Sequence, residues 1–181
     1  AHPVADTEGE EGSVIFTVNA GVTTVPAYQW QVDAGAGFTN VSGVIYTGIN
    51  TNTLTINPIT SPMNGYRYRA VISGTCTPDA YSNPALLTVE EKPEISQQPL
   101  SQTICENDNT QFTVNPGVTT APIFLWEYNT GAGWNPVPAD AWHSGVTTNT
   151  LTITGALPNM TTLQYRVVVS GNCTPTVTSN I

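Results

Sequence analysis

Three cysteines, two histidines and thirteen carboxylates are the side chains of this 181-residue chain best equipped for chemistry. Cys76, Cys105 and Cys173 show none of the Cys-x-x-Cys or Cys/His spacing of a zinc site. His2 and His143 lie in unrelated places. His143, beside Trp142, reads as a surface histidine, and no Ser-His-Asp or Cys-His arrangement that would activate a nucleophile can be built from either. Gly35-Ala36-Gly37 joins two strand-like runs instead of opening a helix, so it offers no phosphate cradle. The acids gather as Asp6, Glu8, Glu10 and Glu11, then Glu90, Glu91 and Glu94, then Glu106 and Asp108. Carboxylates of the first two groups, meeting at a domain joint, are what calcium would need. No EF-hand or repeated Asp-x-Asp pattern accompanies them, and solvated charge is the plainer reading. No catalytic, cofactor or metal residue is assigned, and no enzymatic activity is expected.

The elements that would position any of these residues occur twice. Phe16-Thr17-Val18-Asn19 returns as Phe112-Thr113-Val114-Asn115, Trp30 as Trp126, Asn52-Thr53-Leu54-Thr55-Ile56 as Asn149-Thr150-Leu151-Thr152-Ile153, and Tyr68-Arg69 as Tyr165-Arg166. The offset is about 96 residues up to Trp142 and about 97 after one inserted residue near His143, so each copy is a whole small domain. Composition agrees, because two domains of roughly 90 residues are what this length accommodates. Only 9% of residues are charged, against roughly 25% in an ordinary soluble domain. A net charge of −9 excludes a phosphate backbone as partner and argues against an anionic membrane surface. No apolar run reaches the length of a membrane span and no signal peptide is visible, so the start at Ala1 reads as a mature or excised end.

Short alternating apolar runs separated by Gly, Pro, Asn and Asp predict an all-β fold without helices. The first copy offers strands at Val14-Ile15-Phe16-Thr17-Val18, Ala27-Tyr28-Gln29-Trp30-Gln31-Val32, Thr53-Leu54-Thr55-Ile56, Tyr66-Arg67-Tyr68-Arg69-Ala70-Val71-Ile72 and Ala85-Leu86-Leu87-Thr88-Val89. The second repeats this order as far as Val167-Val168-Val169. The domains are therefore read as 1–90 and 96–181, with 91–95, charged and carrying Pro93, as a short stiff linker.

A Trp on the third strand (Trp30, Trp126), a Leu-x-Ile strand, a late Tyr (Tyr68, Tyr165) and a closing Leu-x-Val strand together resemble an immunoglobulin-like domain. The fold class implied is two tandem immunoglobulin-like β-sandwiches. Where that family's inter-sheet disulfide would sit, the chain has Val18 with Ala70 and Val114 with Val167. The opening from Pro93 to Glu106, the Tyr28-Gln29-Trp30-Gln31 run and the Ser-Gly-x-Cys turn are similar to Ig-like repeats in very large secreted surface proteins of gliding, type IX-secreting bacteria. The resemblance implies an extracellular, cell-surface location and a structural and adhesive role, as an extended rod. Its partners would be neighbouring Ig-like repeats of the same or another chain, and a surface polysaccharide or protein, with no membrane insertion.

Three site expectations follow. Cys105 aligns with Gly9, so Cys105–Cys173 within copy two is the simplest bridge and leaves Cys76 over. The topology of an Ig sandwich, however, sets those positions at opposite ends. Phe38 and Trp134 occupy equivalent turns and Tyr46 is matched with Trp142; these four are candidate ligand-facing aromatics, the alternative being that they fold back onto the sandwich. Finally, copy two stops at a residue equivalent to Pro84, without a counterpart of Ala85-Leu86-Leu87-Thr88-Val89. The expectations are a fragment of a longer array, or a filament subunit completed by a strand from another chain. A carbohydrate-binding accessory region of a secreted enzyme is the third reading.

Overall fold

Residues 68–72 alternate inward Tyr68, Ala70 and Ile72 with outward Arg69 and Val71, and the chain there is a seven-residue strand with that burial pattern. The same logic runs through the computed structural model, which describes residues 2–181; Ala1, read above as a processed start, lies outside them. The chain divides into two units after Glu90. The first holds β1 (Asp6–Gly9), β2 (Val14–Thr17), β3 (Ala27–Asp33), β4 (Phe38–Asn40), β5 (Tyr46–Thr47), β6 (Thr53–Ile56), β7 (Arg67–Ser73), β8 (Ala80–Tyr81) and β9 (Ala85–Glu90). The second holds β10 (Thr110–Thr113), β11 (Ile123–Asn129), β12 (Trp134–Pro136), β13 (His143–Ser144), β14 (Thr150–Ile153), β15 (Gln164–Ser170) and β16 (Val177–Thr178). Short 3-10 turns at Ser61–Met63 and Pro158–Met160 are the only helical pieces among the described residues.

Each unit is a sandwich of two sheets. In the first, β1-β9-β7-β3-β4, with β8 also on β7, faces β2-β6-β5. In the second, β12-β11-β15-β16 faces β10-β14-β13. The long strands found from the alternation are all present; β1, β4, β5, β8 and their counterparts are two to four residues long, too short to show a period.

Trp30 and Trp126 are completely buried between the sheets. A buried indole N–H needs a partner, and each donates to a carbonyl on the opposite side, Thr51 and Thr148 respectively, at 2.9 Å. Those carbonyls are presented by tight turns at Gly48 and Gly145. Both glycines have a left-handed φ, and a Cβ on either would collide with the carbonyl of Thr53 or Thr150. Val18, Ala70, Val114 and Val167 are buried at the positions of the absent inter-sheet disulfide, so packing replaces the crosslink there. Ser82 and Ser179, buried and unremarked in the sequence, accept hydrogen bonds from the N–H groups of Ala70 and Val167 and pin the tail of each sheet.

Residues 91–95 are tied to the second unit. The Glu91 and Glu94 N–H groups donate to the Thr120 and Thr119 hydroxyls at 2.7 and 2.9 Å, so the segment is fastened to the turn before β11.

Candidate functional site

No Cys105–Cys173 disulfide forms. Cys105 lies at the end of the sandwich where it and Leu163 line one cleft, whereas Cys173 follows Ser170 at the far end of β15. Seven extended residues separate the two ends by roughly 20 Å, and a disulfide tolerates a Cα separation of about 7 Å. The topological objection decides the matter against the pairing suggested by the repeat.

The candidate aromatics fall on different surfaces. Register places Asp33 opposite Phe38 and Arg67, Gln31 opposite Asn40 and Arg69, and Val71 opposite Tyr81, all on the outer face of the larger sheet. Arg69 donates from Nε to Gln31 Oε1 at 2.9 Å, with its guanidinium 3.9 Å from the centre of the Phe38 ring and 4.7 Å from that of Tyr81. Copy two repeats the device: Arg166 Nε donates to Glu127 Oε2 at 2.7 Å and the guanidinium covers the Trp134 ring at 4.1 Å. Phe38 and Trp134 are thus half-buried rings whose faces are taken by an arginine, not open stacking platforms. Tyr81, 57% exposed, belongs to this face and was missed; its two-residue strand gives no pattern, though three of the four basic residues sitting on β7 and β15 was an available signal. The Gly-rich turn before β4 is shaped by Asp33, whose carboxylate accepts from the Gly35 and Gly37 N–H groups at 2.8 and 2.9 Å. Those two bonds hold its carboxyl below the usual range.

Tyr46 points inward. Its ring is 6.3 Å from that of Tyr68 and the two hydroxyls meet at 3.4 Å. Its counterpart in copy two is His143 and not Trp142, because Tyr46 pairs with Ile56 as His143 pairs with Ile153. The inserted residue therefore precedes this strand, between the equivalent bonds of Val41 and Val137 to the two tryptophan carbonyls and the start of β13. Nor is His143 a free surface histidine: its side chain is 10% exposed, Nδ1 lies 3.0 Å from Asp140 Oδ1 and Nε2 lies 3.2 Å from the Tyr165 hydroxyl. Desolvation opposes ionisation of Asp140, yet the N–H groups of Trp142 and His143 and the imidazole prevail and hold its carboxyl low. Burial, then the negative Asp140, push the Tyr165 phenol up to about 12. The phenol therefore keeps its proton at ordinary pH. It joins β13 to β15 across the two sheets, as Tyr46 joins Tyr68. Of the four candidate aromatics only Trp142, 44% exposed, faces solvent.

A cleft of about 560 Å³ opens beside Tyr165 in copy two. Gln102, Ile104 and Phe112 form one side, Met160, Leu163 and Tyr165 the other. In copy one the equivalent space is filled by β9, which lies between β1 and β7, with Ala85, Leu87 and Val89 buried.

No family model matches the chain. Endoglucanase C of Cellulomonas fimi is 30% identical over 138 residues, a stretch that makes up 75% of this chain and 12% of that protein. Among solved structures, the titin I-band fragment I67-I69 superposes with a TM-score of 0.68 at 16% identity, covering 98% of this chain and 61% of that one. Dpr11 IG1 bound to DIP-gamma IG+IG2 gives 0.61 at 13% identity, covering 99% and 93%. These likenesses show the immunoglobulin-like fold.

Proposed function

We propose that this chain is a non-enzymatic tandem Ig-like module of a large secreted, cell-surface bacterial protein, with a structural and adhesive role. One observation carries the reading. In both copies the interior is given to packing and to tying the sheets together, with no buried side-chain N or O left unpartnered among the described residues, while the outer sheet face repeats a guanidinium laid on an aromatic ring. A flat, preordered guanidinium flanked by Gln31, Asn40 and the exposed Tyr81 is suited to binding polar ligands at a surface. Beads coated with the chain are expected to adhere to polysaccharide- or protein-coated glass, and Arg69→Ala with Tyr81→Ala to reduce adhesion. Beads that adhere to neither surface would remove the adhesive role.

A second reading, an accessory region of a secreted enzyme, is favoured by the match to Endoglucanase C, where the shared stretch is a small part of a much longer protein. Retention on insoluble cellulose, lost on Trp142→Ala, supports it. The half-buried placement of Trp134 under Arg166 makes Trp134→Ala a stability change rather than a binding one.

A further inference from the structure

On the outer face of the larger sheet, cross-strand register lets the two copies be compared place by place. The arginine and the ring beneath it are kept, as Arg69 on Phe38 and Arg166 on Trp134. The charge around them is not. Arg166 meets a carboxylate, Glu127, where Arg69 meets the neutral Gln31. On the same strand and face as Arg69 stands a second guanidinium, the exposed Arg67, where copy two has Gln164. Asp33 lies across from Arg67, but its Oδ1 already accepts from the Gly35 and Gly37 N–H groups. Copy one thus gathers two of the four basic residues of a −9 chain on one face.

The hydrogen-bonding groups follow the same division. Gln31 accepts from Arg69 through Oε1 and donates through Nε2 to Asn40 Oδ1 at 3.0 Å. This relay fixes the Asn40 amide with its Nδ2 left to donate, and the Arg69 Nη groups hold no hydrogen bond among the described residues. In copy two Glu127 ends the relay and Pro136 replaces Asn40. Tyr81, which flanks the Arg69 guanidinium and is 57% exposed, becomes Thr178. Gln29, in the row of Tyr81, becomes the exposed Leu125.

We propose that the outer face of copy one, and not that of copy two, binds a glycan carrying an isolated carboxylate, a uronic acid residue set between neutral sugars. The edge of the Arg69 guanidinium, held flat by Phe38 and Tyr81, meets the carboxylate through paired N–H donors. Arg67 adds a second cation about 7 Å along the strand. Asn40 donates to a neighbouring hydroxyl, and the exposed part of Tyr81 meets the C–H face of a sugar ring. The main-chain groups of β3 and β7 are paired with each other, so an extended peptide would find no backbone partner on this face. The net charge of −9 repels a dense polyanion, whereas a single carboxylate among neutral sugars meets the local cations with little of that repulsion. The proposal rests on the adhesive-surface reading and deepens it by naming what the surface holds.

The test is titration of the intact chain with a hyaluronan tetrasaccharide, in which glucuronate alternates with a neutral sugar, followed by backbone and side-chain NMR shifts. Saturable binding is expected, weakened by salt, with shifts at Asn40, Arg67, Arg69 and Tyr81 and none at Trp134 or Arg166. The methyl ester of the same tetrasaccharide, which removes the charge and keeps every hydroxyl, should bind about tenfold or more weakly. Gln31→Glu, which sets copy two's carboxylate beside Arg69, should weaken binding by about tenfold without lowering the melting temperature, so that lost binding is not lost folding. Equal binding of acid and ester, equal shifts on both copies, or no saturable binding at millimolar tetrasaccharide would each overturn the proposal. So would equal binding of a blocked pentapeptide carrying one glutamate, which would mean that the face reads charge alone. Beads that adhere to neither coated surface while the tetrasaccharide binds would remove the adhesive role and keep the site. Beads that adhere while the tetrasaccharide does not bind would do the reverse.

Discussion

The two copies share a plan and differ in how completely they close. Copy one buries Val14, Phe16, Ile56, Ile59, Tyr68 and Leu87 to within 1% exposure; the matching set in copy two is Thr110, Phe112, Ile153, Ala156 and Tyr165, more open at nearly every place. The change is directional. Every loosened position faces the cleft, whereas Trp126, Leu151, Val167 and Val169, on the far side, stay fully buried. The segment before β10 is coil where copy one has β1. The tie across the sheets also differs, a Tyr–Tyr contact in one and an Asp-His-Tyr row in the other.

The largest effect that would break this comparison lies at the shared centre. Trp30→Ala and Trp126→Ala each remove a completely buried ring and its hydrogen bond, at a cost of about 3–5 kcal/mol. Calorimetry of the native chain should show two transitions, with copy two melting first. Trp126→Ala should erase the lower transition, and Trp30→Ala should lower the upper one without erasing it. A single cooperative transition that both changes shift equally would mean the copies are not independent. Somewhat smaller is Leu87→Ala, costing roughly 3 kcal/mol through the cavity it leaves. If β9 is what separates the copies, this variant should bring the upper transition close to the lower one and raise exchange at the amides of β1.

How much of this was legible in the sequence follows from length and period. Strands of four to seven residues with strict alternation, such as β2, β6 and β7, could be read directly, as could the Trp and Tyr that fill the core. The destinations of side chains could not. Phe38 and Trp134 follow Gly-rich turns in the manner of exposed recognition residues, and only the cross-strand register reveals an arginine two strands away lying on each ring. His143 illustrates the same limit. Its partners lie three and twenty-two residues away, and the insertion that shifts the repeat conceals its equivalence to Tyr46. The Cys105–Cys173 pairing failed because repeat alignment says which residues correspond, not which end of the sandwich they occupy.

The tie between sheets gives the next prediction. Tyr165→Phe leaves the nearly buried His143 Nε2 without its partner and should cost copy two about 1 kcal/mol. Tyr68→Phe should cost copy one less, because Tyr46 is half-buried and its hydroxyl can turn to water. His143→Tyr, which installs copy one's arrangement, should be tolerated. Alkali sharpens the test. The Tyr165 phenol is raised by burial to about 12, from about 10 in an unfolded chain. Folded copy two therefore holds its proton where the unfolded state releases it, so the stability from neutral Tyr165 is whole below about pH 10 and is lost as pH rises through about 12. Tyr68 is also pushed up, by burial first, so both transitions should fall in this window. Tyr165→Phe should flatten the lower one alone.

The smallest expected effect concerns the outer face, where the copies differ by one oxygen for one amide. Arg166 meets the Glu127 carboxylate, and Arg69 meets the neutral Gln31 carboxamide, with similar Nε geometry. The pair in copy two is partly exposed, 28% and 16% for the two side chains. Its net worth is then below about 1 kcal/mol, since solvent screens the attraction and fixing two long side chains costs entropy. Glu127→Gln should lower the melting of copy two slightly in dilute buffer and by less in about 1 M salt, where the screening length falls to about 3 Å, close to the 2.7 Å separation of the pair. Gln31→Glu should raise copy one by a similar amount under the same low-salt condition. If Glu127→Gln proves as costly in high salt as in low, the interaction is a matter of packing on Trp134. The aromatic ring would then be what both copies need, and the charge would be incidental.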